Sequence, residues 1–462
     1  MNRLLISAAH KSSGKTTISI GLCAALQRNG KRVQPFKKGP DYIDPMWLGK
    51  ATGRSCINLD FYTMQKDEIL ATMQHYSAGC DISIIEGNKG LYDGLDIEGS
   101  NSNAALARLT KTPVILVIDV QGMTRGIAPL VLGYQNFDPQ LHIAGIILNQ
   151  IRGQRHEDKL RAVLEHYTGV PVVGAVYHNP SLAITERHLG LVPSNESGQA
   201  REQIDLIGKL IGEQVELDRL LEIAGNAPAL PATDFALYQQ QKSADVRIAI
   251  ARDSAFGFYY PDDLEALQRA GATLVEFNTL SDNCLPECDG LFIGGGFPET
   301  HMQALEANLP LRRQIKQAIE DGLPAYAECG GLMYLSRSLS WKDERHEMVG
   351  IIPGEIQMHA KPVGRGYVQL EETDAHPWPR LTAADKRTYP AHEFHYSALE
   401  ELPDPISFGY RIKRGMGIDG KNDGVIYKNL FASYAHLRDT SYNHWAERFV
   451  RFVRSIKSEK TL

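Results

Sequence analysis

The sequence predicts two consecutive α/β domains, the first built on a parallel β-sheet. Three observations support this fold class. The chain has 462 residues, enough for two or three domains at about 150 residues each. Its 43% hydrophobic and 23% charged residues are proportions of a globular protein. Short β-rich runs alternate with longer amphipathic runs, which is typical of βαβ units with helices on both faces of the sheet.

Charge and hydropathy restrict the classes of function. Asp and Glu number 55 against 49 Lys and Arg, and this net charge of −6 argues against a nucleic-acid partner. No stretch approaches the roughly 18 apolar residues of a membrane span, and the N-terminus predicts a first strand rather than a signal peptide. The six cysteines are sparse, and Cys284 and Cys288 have no second pair to complete a zinc site. We therefore expect a cytoplasmic protein with reduced thiols and no membrane association.

Strand and helix patterns follow one another along the first half. An apolar run at 4–8 predicts the first strand, and 16–29 predict a helix that ends at Gly30. Residues 202–224 are charged and also predict a helix. Further strands are predicted for β-rich runs bounded by Gly, Pro or Asp: 33–36, 82–85, 114–118 and 143–148.

A change of composition divides the chain. Residues 226–244 combine Pro, Ala and a run of Gln with little periodicity, which predicts a linker. We expect an N-terminal domain at 1–225, a second domain at 245–440 and a C-terminal helix at 441–462. The predicted strands of the second domain are 246–251, 274–277, 290–293 and 325–327.

A candidate phosphate-binding loop, AHKSSGKTT at 9–17, follows the first strand and opens directly into a helix. Backbone N–H groups of such a loop cradle phosphate, and the helix N-terminus adds positive potential. Lys15 would reach the β- and γ-phosphates and the Thr16 hydroxyl would bind Mg²⁺, with Gly14 and Thr17 completing the nucleotide contacts. The alternative is a chance Gly-Lys-Thr at a helix start, but the strand–loop–helix context favours a nucleotide site.

A second segment supports the nucleotide site. The apolar run 81–86 ends in Glu86, where a Walker-B-like Mg²⁺ ligand lies. The glycine-rich loop after it carries Asp93. Because ligands of open α/β sheets bind beyond the carboxyl ends of strands, both acids are candidates for the site. A solvated turn after a buried strand is the alternative.

A third segment, residues 34–45, is a stiff polar loop after a predicted strand. Lys37 suits an anionic substrate or phosphate, and Asp41 and Asp44 suit a metal or a substrate donor. Taken alone, the segment is also compatible with a charged surface loop.

In the second half, Cys329 lies at a predicted sharp turn between a strand and a helix. Such an elbow exposes the sulfur and directs the N–H of Gly330 at a developing oxyanion. Upstream, Gly295 and Gly296 end another predicted strand, and their amides are candidates for the second oxyanion donor. His436 is the candidate base. A buried structural cysteine is the alternative, whereas the full set favours amide hydrolysis through a thioester.

Two further histidines lie near the C-terminus. His392 and His395 flank Glu393 in a segment with the alternation of a strand, which favours a substrate loop or an interdomain contact over a zinc site. No residue that would orient His436 is identified from the sequence.

The order of these motifs resembles the cobyrinic acid a,c-diamide synthase family over essentially the whole chain. The segments that carry the resemblance are 37–45, 85–94, 294–299, 328–335 and 433–436. The resemblance implies a dethiobiotin-synthetase-like P-loop domain followed by a class I glutamine amidotransferase domain of the cobyric acid synthase type. Two departures concern the nucleotide loop: Ala9 replaces the usual first glycine, and His10 stands where partitioning ATPases carry a signature lysine.

The resemblance also assigns roles to residues. It makes Cys329 the glutaminase nucleophile and His436 the group that activates it. It places Lys15 and Thr16 at ATP and Mg²⁺. The acids that fall on the family's metal, nucleotide and macrocycle positions are Asp41, Asp44, Glu86 and Asp93.

The activity implied by the resemblance is ATP- and glutamine-dependent amidation of acetate side chains a and c of cobyrinate. An ionised carboxylate is a poor acyl donor, so ATP would convert it to an acyl phosphate that ammonia then attacks. Tetrapyrrole acid, glutamine and ATP are the expected small-molecule partners, and a homodimer is left open. Sirohaem and nickel-sirohydrochlorin remain alternative macrocycles, because their amidases resemble this family closely. A non-catalytic ATP-switch scaffold is the alternative from another class.

Overall fold

The computed structural model describes residues 1–187, 190–237, 242–382 and 387–461. The chain divides into two compact units, residues 1–237 and 238–462. Residues 238–241 of the predicted linker and residue 462 of the predicted C-terminal helix lie outside the described residues. Across the described ranges, no helix combines the length and the apolar character needed to cross a bilayer.

The first unit is built on a seven-stranded parallel sheet with the order β3-β2-β4-β1-β5-β6-β7. A short antiparallel pair, β8 and β9, lies outside this sheet. This parallel α/β architecture confirms the prediction for the first half. The strands are β1 Arg3–Ala8, β2 Val33–Lys38, β3 Ile57–Leu59, β4 Ile82–Glu86, β5 Val114–Asp119, β6 Ile143–Ile151, β7 Val172–Tyr177, β8 Glu186–Arg187 and β9 Gly190–Leu191.

Helices cover both faces of this sheet because the strand side chains alternate between two apolar clusters. In β1, Leu4 and Ile6 join one cluster with α1, α2, α7 and α8, whereas Leu5 joins the other with α3 to α6. The helices are α1 Lys15–Arg28, α2 Ile43–Thr52, α3 Lys66–Tyr76, α4 Asn103–Thr110, α5 Ile127–Phe137, α6 Gln154–Tyr167, α7 Ala200–Gln214 and α8 Leu217–Gly225.

The helical structure predicted for 202–224 is confirmed, but the structure divides it into two helices, α7 and α8. Val215 is extended and forms a bridge with Gly174, and the N–H of Glu216 donates to the carbonyl oxygen of Val173 at 2.8 Å. This pairing with β7 interrupts the helix. Beyond α8, the carbonyl oxygen of Pro228 accepts a hydrogen bond from the buried Arg3 guanidinium at 2.7 Å, so the beginning of the predicted linker packs against the first unit.

The second unit is built on a nine-stranded sheet with the order β12-β10-β13-β15-β24-β23-β22-β19-β20. The first five strands are parallel and the remaining ones antiparallel. Two smaller sheets, β11-β14 and β17-β16-β18-β21, accompany it. The strands are β10 Val246–Ala251, β11 Phe256–Phe258, β12 Ala272–Phe277, β13 Gly290–Ile293, β14 Gly295–Gly296, β15 Ala325–Glu328, β16 Ser336–Trp341, β17 Glu344–Glu347, β18 Ile352–Met358, β19 Gly364–Glu372, β20 Thr388–His395, β21 Ser397–Glu400, β22 Ser407–Arg414, β23 Asn422–Tyr427 and β24 Leu430–Ser433.

Two apolar clusters also hold the second unit together. The C-terminal helix buries Trp445, Phe449 and Val453 in the cluster that contains β10, so it is part of this unit. The other cluster surrounds Cys329 and the short helix after it. The helices are α9 Pro261–Arg269, α10 Met302–Ala307, α11 Leu309–Glu320, α12 Gly330–Leu335 and α13 Trp445–Thr461.

Candidate functional sites

The loop between β1 and α1 has the conformation of an anion-binding loop. Ser12 and Gly14 have positive φ angles of 66° and 85°, and α1 begins at the next residue, Lys15. The side-chain amide of Asn149, at the end of β6, donates to the carbonyl oxygen of Ser13 at 2.9 Å. A Cβ at Gly14 would lie 2.2 Å from that amide nitrogen. The loop is thus fixed beside a helix N-terminus, where backbone N–H groups attract phosphate.

Three side chains lie at the end of this loop or in contact with it. Lys15 is buried, and burial lowers the pKa of its ammonium although Glu86 opposes the effect. Thr17 lies half-buried in the first turn of α1. Tyr134 donates its hydroxyl to the carbonyl oxygen of Ala9 at 2.5 Å, so this loop position is anchored although it is not glycine. Neither Asn149 nor Tyr134 was predicted, because both come from distant strands and helices.

The predicted acids and Lys37 form one cluster, which we call the carboxylate cluster: Lys37, Asp41, Asp44 and Glu86. The Lys37 ammonium donates to Glu86 Oε1 at 3.0 Å, forms an ion pair with Asp44, and lies 3.6 Å from Asp41 Oδ2. The Thr16 hydroxyl also contacts the carboxylate cluster and donates a hydrogen bond to Glu86 Oε1 at 2.7 Å. These residues come from α1, β2, α2 with the loop before it, and β4, so the structure brings the separate predictions together.

Electrostatics in the carboxylate cluster favour additional positive charge. Burial and the neighbouring Asp44 raise the pKa of Asp41 to about 7. Burial also raises the pKa of Glu86. Burial alone would lower the pKa of Lys37, but the surrounding carboxylates raise it well above its usual range. The single positive charge of Lys37 faces three carboxyl groups and does not balance them if all three are ionised.

The donor set fits a hard divalent cation. Glu86 Oε2 is buried and has no hydrogen-bond partner among the described residues. Mg²⁺ is usually bound by one or two protein oxygens together with phosphates and water, so Glu86 and the Thr16 hydroxyl suffice as protein ligands. In the described part of the chain, no group of three or more His, Cys, Asp or Glu side chains is arranged so that it could hold a metal ion. The Lys37 ammonium lies among these carboxylates instead.

The glycine-rich loop after β4 is held by Asn103. This buried side chain donates to the carbonyl oxygens of Asn88 (2.5 Å) and Gly90 (3.0 Å) and accepts from the N–H of Asn88 at 3.1 Å. Asp93 is exposed, and its Oδ2 accepts the N–H of Gly90 at 2.9 Å. A Cβ at Gly90 would lie 2.7 Å from both Asp93 Oδ2 and the carbonyl oxygen of Ala9, so Asp93 lies beside the phosphate-binding loop.

In the second unit, Cys329 lies at a strained elbow between β15 and α12. Its φ of 48° and ψ of −101° are outside the common regions for a non-glycine residue. The N–H of Cys329 donates to the carbonyl oxygen of Ser433 at 2.7 Å, which fixes the elbow against β24. A Cβ at Gly331 would lie 2.1 Å from the carbonyl oxygen of Ile293, so only glycine permits this approach.

The predicted oxyanion donors converge on the same elbow. A Cβ at Gly330 would lie 2.9 Å from the amide nitrogen of Gly296. A Cβ at Gly295 would lie 2.7 Å from Cε1 of His436. The triple glycine after β13 therefore lies against both Cys329 and His436, where its amides can face an oxygen that develops negative charge.

His436 is buried beside Cys329 at 3% exposure. Its Nδ1 lies 3.4 Å from Oε2 of Glu328, the residue that precedes the nucleophile. Burial disfavours the charged imidazole, but the neighbouring Cys329 and Glu328 outweigh this effect and raise the pKa of His436 to about 10. An imidazolium beside the sulfur stabilises a thiolate, which is the nucleophilic form of cysteine.

The two remaining histidines lie in β20 with different surroundings. His392 exchanges backbone hydrogen bonds with His436, and the two rings are stacked with centroids 5.0 Å apart. His395 Nδ1 is 2.7 Å from the carbonyl oxygen of Ser397, and its ring stacks on Tyr434. The pattern correctly predicted a strand here, but it did not predict that His392 lies against the candidate base.

Each unit of the chain matches the model of a known family. Residues 5–191 match the CobQ/CobB/MinD/ParA nucleotide binding domain, and residues 247–443 match the CobB/CobQ-like glutamine amidotransferase domain. The fold and the two sites thus define a protein that combines a nucleotide-binding unit with a glutamine amidotransferase unit.

Relatives that match this chain over nearly its whole length show which family within this class it belongs to. The chain is 46% identical to the cobyrinate a,c-diamide synthase of Magnetococcus marinus, covering 98% of this chain and 97% of that protein. It is 41% identical to the enzyme of the same name from Methanosarcina acetivorans (99% and 96%) and 41% identical to that from Listeria monocytogenes serotype 4b (95% and 96%). The chain belongs to the cobyrinate a,c-diamide synthase family.

Proposed function

We propose that this protein amidates the a and c acetate side chains of cobyrinate, with glutamine as the nitrogen donor and ATP as the source of activation. The observation that carries this function is that one chain holds two candidate sites. One has a phosphate-binding loop beside the carboxylate cluster, and the other has Cys329 paired with His436. The full-length relatives supply the identity of the macrocycle, since they carry this name.

In the first unit, the proposed reaction is phosphoryl transfer from ATP to a substrate carboxylate. The N–H groups at the start of α1 and the Lys15 ammonium would bind the phosphates. Lys37 lies where its ammonium can balance charge on the transferred group, and Asp41, Asp44 and Asp93 are the proposed substrate contacts. The product is an acyl phosphate, which ammonia attacks at the carbonyl carbon with release of phosphate.

Mg²⁺ is the proposed metal. Thr16 and Glu86 would hold it, and when bound it supplies charge neutralisation to the phosphates. Gly14 and Thr17 complete the proposed nucleotide contacts at the start of α1.

In the second unit, the proposed reaction is glutamine hydrolysis through a thioester. The Cys329 sulfur attacks the amide carbon, and His436 donates its proton to the leaving ammonia. The amides of Gly330, Gly295 and Gly296 are the proposed donors to the oxyanion. Water then hydrolyses the thioester to glutamate. ATP and glutamine are both cytoplasmic metabolites, so we propose that the reaction takes place there.

The test is mass spectrometry of macrocycle products after incubation with ATP, Mg²⁺ and glutamine, with cobyrinic acid and sirohaem offered side by side. Two amides gained by cobyrinic acid alone is the expected result. Amidation of sirohaem alone would overturn the choice of macrocycle and keep the mechanism. A Cys329→Ala variant should lose glutamine hydrolysis but still use added ammonia. A wild-type protein without glutamine hydrolysis would favour a non-catalytic scaffold.

A further inference from the structure

A thiol–imidazole pair works best when a third group orients the imidazole. The residue two positions after His436 is Arg438, and it cannot fill this role. Its guanidinium is buried, pairs with Asp262 at 2.5 Å and stacks on the ring of Tyr260. A guanidinium only donates hydrogen bonds, so it cannot accept an imidazole N–H.

Glu328 occupies the position that a third group needs. β15 and β24 are parallel neighbours, and Glu328 is paired in register with Ser433. This register brings the end of β15 beside the turn that carries His436. Glu328 Oε2 lies 3.4 Å from His436 Nδ1, and each side chain is only 4% exposed. A buried carboxylate at this distance favours the tautomer that carries a proton on Nδ1.

The Glu328 carboxylate is itself held in place. Its Oε1 accepts the Tyr326 hydroxyl at 2.5 Å and the N–H of Leu437 at 2.9 Å. Tyr326 lies on the same strand, and Leu437 directly follows the base. With Oε1 fixed by two donors, Oε2 is the oxygen that faces the imidazole. Hydrogen bonds of this kind hold the side chains of a reactive site in fixed positions.

We propose that Glu328 is the positioning residue of the glutaminase site, with Tyr326 holding its carboxylate against His436. This inference rests on the proposed glutamine hydrolysis by Cys329. It adds a third member to the pair, one that is adjacent in sequence to the nucleophile rather than to the base. Glu328 keeps the other imidazole nitrogen directed at the sulfur and stabilises the imidazolium after the thiol proton has moved to it.

This role has a consequence for pH dependence. The titratable groups that face His436 are Glu328, Cys329 and His392. Burial, together with the charges of His436 and Arg438, lowers the pKa of His392 well below its usual range, so His392 is neutral beside the imidazolium. Removing the Glu328 charge therefore takes away one of two groups that raise the pKa of His436. The alkaline limb of kcat/KM for glutamine should move to lower pH.

The experiment compares glutamine hydrolysis by full-length wild type with three variants. Glu328→Gln should lower kcat by about 10²-fold or more, with a smaller change in KM and an alkaline limb at lower pH. Tyr326→Phe should shift the limb in the same direction by less. Glu328→Asp keeps the charge and should recover part of kcat. Glu393→Gln is the matched control, because this buried carboxylate accepts the N–H groups of Met416 and Gly417, which lie in a different loop from His436.

The outcomes separate this inference from the proposed function. A wild type that does not hydrolyse glutamine overturns the proposed function itself. An active wild type with an unchanged alkaline limb in Glu328→Gln overturns the positioning role and leaves Glu328 as a structural acceptor for Leu437. If Glu328→Gln does not fold, Tyr326→Phe decides, because an unchanged limb in that variant contradicts the proposed support of the carboxylate.

Discussion

The Lys37 ammonium donates a hydrogen bond to Glu86 Oε1 at 3.0 Å in the interior of the first unit, where Glu86 is 0% exposed. Glu86 is the last residue of β4 and Lys37 the penultimate residue of β2, and the two are paired in register. A cation of the protein itself thus lies among the carboxyl groups that are proposed to serve a metal and a substrate. The sequence predicted that Lys37 binds an anionic substrate. In the structure its ammonium also balances the charge of Glu86 and Asp44.

Lys37→Met should destabilise the first unit. Removing the ammonium leaves Glu86 and Asp44 without their partner in a buried site, which typically costs about 3–5 kcal/mol. Mg²⁺ should raise the melting temperature of the variant more than that of wild type, because the metal supplies the missing charge. Thermal unfolding with and without Mg²⁺ measures both effects. Lys50→Met, which removes a lysine that donates to the backbone oxygen of Ser194, is the control.

An equal Mg²⁺ response in wild type and Lys37→Met would contradict this account of the carboxylate cluster. Glutamine hydrolysis should survive the substitution, since Cys329 and His436 belong to the second unit. ATP-dependent amide formation should fall, because the proposed counter-charge for phosphoryl transfer is gone.

Asp423 gives the second unit a pH-dependent stability. Its carboxylate accepts the N–H groups of Gly424 (2.8 Å), Tyr434 (3.0 Å) and Ala435 (3.0 Å). Burial nevertheless raises the pKa of Asp423 to about 6. The folded protein holds this proton between about pH 4 and pH 6 whereas the unfolded chain does not, so stability falls as pH rises through this window.

Asp423→Asn should remove this dependence. Two pKa units correspond to about 3 kcal/mol, so the wild type should lose roughly that much relative to the variant between pH 4 and pH 7. The variant also loses one acceptor for a buried N–H, at a cost of about 1–3 kcal/mol at every pH. Urea unfolding at several pH values checks the difference. Asp374→Asn, at a side chain that is 91% exposed, is the control, and parallel pH curves would contradict the assignment.

The parallel sheet and both loops were predictable because they depend on local patterns. Apolar runs bounded by Gly, Pro or Asp mark β1, β4 and β5, and Gly-Lys-Thr after the first strand marks the start of α1. The strands predicted with bounds in the second domain lie in its parallel half, and only the alternation around His392 and His395 indicated an antiparallel strand. Among the strands that were not predicted, β17 and β22 are partly exposed, so their apolar periodicity is weak.

The partner of His436 was not predictable, since it depends on strand order. Glu328 reaches the imidazole only because β15 and β24 are adjacent and paired so that Glu328 lies opposite Ser433. No spacing in the sequence encodes this register. The anchoring of the phosphate-binding loop by Asn149 has the same origin, as it requires the end of β6 to lie beside that loop.

Gly330→Ala should impair glutamine hydrolysis more than stability. The new Cβ would lie 2.9 Å from the amide nitrogen of Gly296 and 3.1 Å from its carbonyl oxygen, so the two proposed oxyanion donors must move apart. Loss of one such donor typically costs about 10²–10³ in kcat. Gly322→Ala is the control, because its φ of 81° strains an alanine by about 1–2 kcal/mol away from the elbow. Equal kcat losses in both variants would show that strain, rather than donor geometry, lowers activity.

Gly14→Ala should abolish nucleotide-dependent amidation while glutamine hydrolysis continues. At a φ of 85° an alanine is strained, and its Cβ would lie 2.2 Å from the Asn149 amide nitrogen that holds the carbonyl oxygen of Ser13. The Asn149 amide must therefore move and release the carbonyl oxygen of Ser13. We expect ATP affinity to fall by at least about tenfold, since 1.4 kcal/mol of lost binding already has that effect. Calorimetric titration with ATP and Mg²⁺ measures the affinity, and mass spectrometry measures the amides.

Gly133→Ala is the matched control within α5, where nothing lies within 4 Å of the added Cβ. It should leave ATP binding unchanged and add about 1 kcal/mol of helix stability. Equal ATP affinity in the two variants would mean that this loop is not the nucleotide site.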